Sequence, residues 1–288
     1  MLRKYKIDWI SSLDPNNTEK LNSLAEKMSQ FYSNNLSYYS NISESENYWK
    51  EDSQLIHRHL IKQASVSSNI LEIGCGESSI LKFNPKFSEK YTGIDFSSEI
   101  LDRNKQRFPK ANFQVIKNPG HYNFESKSFD LVFSVFVIEH TVYPHKFLEE
   151  CMRLVSDQGK IAILAPNYID NKFMISQQVA STLKDGRKLL SEGKIIDAIR
   201  SAYYNRILIP KTCKKLQSKI PGFYININPV CFSIDEFKPD VDAVYVVSQR
   251  EIDLYMKNHG FFPEKLHADI EAFKIKNRLF YQIYKRNQ

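Results

Sequence analysis

The densest chemical signal in the chain is the run LEIGCGESS at residues 71–79, an apolar strand pattern that breaks at two glycines and passes into a helical pattern. Gly74 and Gly76 let the backbone turn sharply and approach a ligand where a Cβ would collide. Free N–H groups at the start of the following helix can hold a carboxylate or phosphate. Twenty-one residues past Gly74, Asp95 closes a second apolar run in GIDFSS. An acid there can accept hydrogen bonds from both hydroxyls of a ribose, and Ser97 or Ser98 can cap the next helix. The alternative is a tight turn beside an unrelated surface Asp. The strand, the turn and the correctly spaced acid together weigh against it. A dinucleotide site asks for Gly-x-Gly-x-x-Gly, whereas the third position here is Ser79 and an acid, Glu72, lies inside the preceding strand.

These residues need a scaffold, and the chain supplies an alternating one. Short apolar runs at 69–73, 90–95, 112–116, 129–135 and 160–165 are separated by amphipathic stretches at 97–107 and 144–154. Strand and helix alternating at this spacing indicate right-handed βαβ units and a doubly wound parallel sheet, an α/β fold. Upstream, residues 18–33 read as a helix with Leu21, Leu24, Met28 and Phe31 on one face, and 52–64 as a second. Helical runs follow near 172–184, 187–205 and 211–219, then an aromatic loop and the run DAVYVV. Residues 248–258 read as a helix stopped by Gly260, and the runs 261–270 and 278–285 as strands able to pair as an antiparallel hairpin. The expected division is an N-terminal helical extension (1–54), a core (55–167 with 240–288) and an insert (168–239).

The 288-residue length and ordinary apolar content exclude disordered and collagen-like classes. No apolar run reaches membrane-spanning length, the N-terminus lacks a secretory apolar region, and the four cysteines form no C-x-x-C pair. These features argue for a cytoplasmic location, no metal site and no disulfide framework. The net charge of +7 is concentrated: residues 171–220 hold eleven Lys or Arg against three acids. Such a local excess marks where an anionic partner could sit.

The glycine turn EIGCG resembles the first motif of class I S-adenosylmethionine-dependent methyltransferases, and GIDF resembles their second. FDLVFSVFVIEH (129–140) is similar to the fourth-strand motif, RLVSDQG (153–159) to the turn into strand five, and APN (165–167) to the strand-five exit of a subgroup that includes ubiquinone-biosynthesis O-methyltransferases. VDAVYVVS (241–248) resembles a segment of methyltransferases of bacterial surface-glycan pathways. The resemblance covers 55–167 and 240–288. It departs from the family at Ser78, which replaces the third glycine, at Asp157-Gln158, and at Asn118, where the family often carries an Asp.

The resemblance implies a Rossmann-like seven-stranded sheet whose last strand is antiparallel, with a helical insertion after strand five. It implies S-adenosylmethionine as cofactor, met by the backbone and side chains around Glu72, Gly74, Cys75, Gly76 and Ser78, by Asp95 on the ribose, by Phe96 and Ile116 about the adenine with Asn118 at its edge, and by Val135. Phe96 as plain core is the alternative.

Methyl transfer to an alcohol needs a base, and an imidazole titrates in the right range. His140, at the end of the fourth strand, is the first candidate; His121 and His145 follow. The alternative is that His140 caps or packs the next helix. Asn167, Tyr168, Arg187, Arg200, Tyr203, Tyr204 and Arg206 are candidate substrate contacts, with cap packing the alternative for Tyr203 and Tyr204. Tyr38 and Tyr39 are candidate lid residues.

The function expected is O-methylation of a small anionic or sugar-containing acceptor in glycan or secondary metabolism. No (Asp/Asn)-Pro-Pro-(Tyr/Phe) follows strand four and no Pro-Cys occurs, so a nucleic-acid partner is not expected. An RNA methyltransferase using the basic insert, an aminopropyl transferase and a non-catalytic S-adenosylmethionine-binding scaffold are the competing readings.

Overall fold

The computed structural model describes residues 9–34, 54–118, 120–173, 183–232 and 242–287. The chain opens with β1 (Trp9–Ser11) and α1 (Thr18–Asn34), and α2 (Gln54–Ser65) leads into the first core strand, β2 (Ile70–Ile73). Then come α3 (Ser79–Phe83), β3 (Tyr91–Asp95), α4 (Ser98–Arg107), β4 (Asn112–Val115), β5 (Phe129–Val135), α5 (Pro144–Leu154) and β6 (Val155–Pro166). The insert contributes α6 (Leu183–Ser191), α7 (Ile195–Tyr203), a π-helical turn at Tyr204–Leu208, α8 (Ile209–Gln217) and β7 (Tyr224–Asn226). The chain closes with α9 (Gln249–Asn258), β8 (Phe261–Pro263), α10 (Ala268–Asn277) and β9 (Leu279–Arg286).

Seven strands form one sheet in the order β4-β3-β2-β5-β6-β9-β8, with β9 antiparallel to both its neighbours. This is the doubly wound α/β fold expected, last strand included. All four residues of β2 are buried, as a central parallel strand covered on both faces requires. Strand order reverses between β2 and β5, and open α/β sheets bind ligands at the carboxyl ends of such neighbours.

Several expectations need correction. The expected helix over 187–205 breaks at Gly193, whose φ of +73° only glycine adopts freely, so α6 and α7 are separate. Most of the helix expected over 172–184 lies outside the described residues, as do Tyr38 and Tyr39. The region 261–285 is not a simple hairpin: β8 has three residues, and α10 occupies Ala268–Asn277 before β9. The stretch Ser156–Gly159, expected as a turn, continues β6, with a register shift against β5 between Phe129 and Leu131.

The extension and the insert meet. β1 pairs antiparallel with β7 in a two-stranded sheet, Trp9 opposite Asn226. Glu251 of α9 pins the return of the insert, accepting from the backbone N–H groups of Gly222 (2.7 Å) and Phe223 (3.0 Å) and from the Tyr245 hydroxyl (2.7 Å). α1 buries Leu21, Leu24, Met28 and Tyr32. The stripe thus runs on to Tyr32, while Phe31 is half-buried and packs edge-on to Phe232. Each large apolar side chain buried there contributes about 1.5–3 kcal/mol of transfer free energy. Among the described residues no helix is long and apolar enough to cross a membrane.

Candidate functional site

The turn after β2 is shaped by backbone necessity. Gly74 has φ +69°, and a Cβ built on it would lie 2.5 Å from Val137 Cγ2. A side chain there would both strain the backbone and collide with the loop after β5. The N–H groups of Gly74 and Cys75 both donate to the Ile94 carbonyl, at 2.8 and 3.0 Å, which locks the turn to the end of β3. α3 is only five residues long, and its cap, Ser78, is buried in the left-handed region at φ +52°.

Asp95 lies where β3 ends and is 5% exposed. Its Oδ2 accepts from the Gly76 N–H (2.9 Å) and its Oδ1 from the Ser97 N–H (3.1 Å). These two bonds orient the carboxylate at the end of β3. Ser97 caps α4, its Oγ accepting from the Ile100 N–H at 3.3 Å. Asn104, one turn from the end of α4, donates to the Gly76 carbonyl (2.7 Å) and to Ser78 Oγ (3.2 Å).

Glu72 is buried and accepts from the Tyr91 hydroxyl. Burial pushes its carboxyl up to about 8, with the nearby Asp95 adding to the rise and the Tyr91 bond opposing it. Burial also drives the Cys75 thiol well above its ordinary value, with Asp95 and Glu72 adding to it. Cys75 is therefore no thiolate nucleophile; what it brings to the turn is its backbone.

Beyond Asp95, Phe96 is half-buried and stacks on Tyr32 of α1, centroids 6.3 Å apart and planes 20° from parallel. Ile116 is buried and Asn118 exposed just past β4. Val135 ends β5 half-buried, and Phe136 next to it holds a φ of +56° while its N–H donates to the Leu164 carbonyl (2.8 Å). A bulky residue in that region is strained, and such strain concentrates at functional sites.

His140 closes a 3₁₀ turn, Ile138–His140, and is 12% exposed in its side chain. Its Nδ1 lies 3.2 Å from Asp242 Oδ2, and its Nε2 lies 3.9 Å from Glu139 Oε1. Both carboxylates are fully buried. Tyr32 donates from its hydroxyl to the same Asp242 Oδ2 (2.7 Å), with its ring edge-on to His140 at 6.1 Å. The run 242–247 delivers Asp242: the N–H groups of Val244 and Tyr245 donate to the Glu139 carbonyl at 2.8 and 2.9 Å. The other histidines are engaged elsewhere. His121 lies 3.6 Å from Glu150 and is exposed, and His145 meets Ser12 Oγ at 3.2 Å.

The candidate substrate residues do not line one surface. Asn167 is buried and accepts from the Gln249 N–H (3.2 Å) at the start of α9. Tyr168 is fully buried against Phe173, ring centroids 5.3 Å apart. Arg187 and Arg206 are exposed on the insert, Arg200 lies 3.4 Å from Asp197, and Tyr203 is half exposed. The side chain of Tyr204 lies outside the described residues. Sequence reasoning missed Tyr32, Asp242, Glu139, Asn104 and Val137. Tyr32 had a readable signal, four residues past Met28 on the apolar stripe of α1. Asp242 had a weaker one, as an acid opening an apolar run.

Residues 71–163 match the protein family described as "Methyltransferase domain". A probable S-adenosylmethionine-dependent methyltransferase of Mycolicibacterium smegmatis is 25% identical over 124 residues, 43% of this chain and 48% of the relative. The demethylmenaquinone methyltransferase of Chlamydia pneumoniae is 28% identical over 113 residues, 38% of this chain and 48% of the relative. The chain thus spans about half the length of these curated relatives. The crystal structure of Burkholderia thailandensis 1,6-didemethyltoxoflavin-N1-methyltransferase, with bound 1,6-didemethyltoxoflavin and S-adenosylhomocysteine, matches in fold with a TM-score of 0.53. It covers 98% of this chain and 95% of that one at 11% identity. Residues 71–163 of this chain are thus similar to a methyltransferase domain, and the curated relatives that overlap them include probable S-adenosylmethionine-dependent methyltransferases. The residues of this chain fit that cofactor: a glycine turn that no Cβ could enter, an oriented acid for the ribose, and apolar Phe96 and Ile116 beside it.

Proposed function

We propose that this chain methylates an oxygen of a small acceptor carrying phosphate or sugar, with His140 as the base. The observation that carries the reading is the approach of Asp242 to His140 at the carboxyl end of β5, beside Tyr32 and Phe96. The basic insert supports a negatively charged acceptor.

S-adenosylmethionine, when bound, supplies a methyl group that is already electrophilic on its sulfonium. The chain has three tasks left: to align the acceptor, to exclude water and to take a proton. Asp242 faces Nδ1, orients the ring and balances the positive charge that grows as Nε2 accepts the acceptor hydroxyl proton. Glu72, Gly74, Cys75, Gly76 and Ser78 would hold the amino-acid end of the cofactor. Asp95 would hold the ribose, with Phe96, Asn118 and Val135 around the adenine. Tyr32 and Phe96 would close the site to water. Arg187, Arg200, Tyr203 and Arg206 would draw in the anionic acceptor from the insert.

The test is methyl transfer from labelled S-adenosylmethionine to a panel beginning with nucleotide sugars. With an acceptor found, His140→Ala should cut kcat by about 10²–10⁴-fold and leave cofactor affinity unchanged. Asp242→Asn should lower kcat and displace the alkaline-rising limb of its pH profile. Full turnover in His140→Ala removes the base assignment.

A further inference from the structure

The insert carries an apolar face turned outward. α7 has its small residues inward, Ala198 buried and Ala202 half-buried, while Ile195, Ile196, Ile199 and Tyr203 face solvent. A helix packed on a core normally does the reverse. Residues four apart lie in one row, so Ile195, Ile199 and Tyr203 form a stripe with Ile196 beside it, an arc of about 100°. Leu190 at the end of α6 and Ile207 in the π turn bring the set to six within eighteen residues, each between 41% and 67% exposed. The other well-exposed large apolar residues, such as Val66 and Ile275, are scattered over separate elements, which is ordinary. A clustered set is not, and marks an interaction surface.

Charge says what covers it. Between Leu183 and Lys219 the chain has ten Lys or Arg against three acids. Lys188, Arg187 and Arg206 are exposed among the apolar side chains, and Lys211, Lys214 and Lys215 continue the cationic run along α8. The two acids with described side chains, Glu192 and Asp197, sit beside Lys194 and Arg200, with Lys188 also 3.9 Å from Glu192, so the segment keeps a large positive excess. A second copy of this chain docked by the same face would set the cationic rim against itself. An apolar stripe flanked by Lys and Arg is instead the pattern of helices that lie in the interface of a bilayer with anionic headgroups.

From this inverted face we infer that α6 and α7 dock the protein on an anionic membrane surface, with Ile195, Ile196 and Ile199 entering the headgroup region and the surrounding Lys and Arg meeting lipid phosphates and carboxylates. The attachment is peripheral and reversible; it does not rest on the methyl-transfer reading, although Arg187, Tyr203 and Arg206 serve both.

The test is flotation of the purified full chain with vesicles of phosphatidylcholine alone and of phosphatidylcholine with about 30 mol% phosphatidylserine. The expected result is at least about 10-fold stronger partitioning to the anionic vesicles, weakened by 0.5 M salt. Ile195→Asp with Ile199→Asp, at exposed positions that leave folding intact by circular dichroism, should reduce that partitioning about 10-fold or more. Arg206→Ala with Lys211→Ala should reduce it and flatten its salt dependence. Absence of partitioning by the wild type, or partitioning unchanged in the Ile variant, overturns the inference. So does a concentration-dependent dimer that the Ile variant abolishes in the absence of vesicles, which would hand the face to a second copy.

Discussion

Gly74→Ala is the sharpest perturbation of the turn that shapes the site. The new methyl would meet Val137 Cγ2 at 2.5 Å, Cγ1 at 2.8 Å and Cβ at 3.2 Å, on a backbone with φ +69°. The left-handed conformation costs an L-residue about 1–2 kcal/mol, and overpacking of this kind adds about 1–3 kcal/mol. The variant should therefore lose about 2–5 kcal/mol, read as a lower urea midpoint with unchanged slope. Val137→Ala removes the two nearest atoms and leaves only the 3.2 Å contact. In the double variant the steric part should return while the backbone part remains, a favourable coupling of about 1–3 kcal/mol. Four urea titrations followed by circular dichroism complete the cycle. A single variant as stable as the wild type, or strictly additive losses, would refute the argument that the loop after β5 enforces glycine at this position.

Two further outcomes follow from buried carboxylates. Glu72 keeps its proton up to about 8 in the folded chain, while the unfolded chain releases it near the ordinary glutamate value, so this group's contribution to stability falls as pH rises between the two. The fall from pH 5 to pH 8 is about 4 kcal/mol at 1.36 kcal/mol per unit, and Glu72→Gln should gain stability over the wild type by that much more at pH 8 than at pH 5. Equal offsets at both values would show that Glu72 is ionised in the fold. Glu251→Leu leaves the N–H groups of Gly222 and Phe223 without their acceptor, at about 1–3 kcal/mol each; trypsin should then cut faster at Lys219, and an unchanged rate would contradict the pinning role.

What could be read in advance was local. The glycine turn and Asp95 lie on adjacent strands of one βαβ unit, so their spacing carries their geometry. Tyr32 and Asp242 meet across 210 residues of chain, and only the pairing of β1 with β7 and the return of 242–247 along Glu139 bring them to His140. No periodicity encodes such a contact. The α10 segment reads as strand in the sequence because its helical pattern is nearly flat: it buries Ile270 and a lysine, Lys274, held by Glu271, while Ile275 is exposed. The insert was read as helical, but its inverted polarity was not visible, since an Ile-rich stripe is the same string of letters whichever way it faces.

We propose that the Gly74 turn and Asp95 bind S-adenosylmethionine. Calorimetric titration of S-adenosylmethionine and S-adenosylhomocysteine into the wild type and Asp95→Ala tests it most directly. One site of micromolar affinity is expected, weakened about 100-fold or more in the variant, as loss of two ribose hydrogen bonds to a charged acceptor implies. No heat of binding with the folded wild type, or equal affinity in both proteins, would contradict the account.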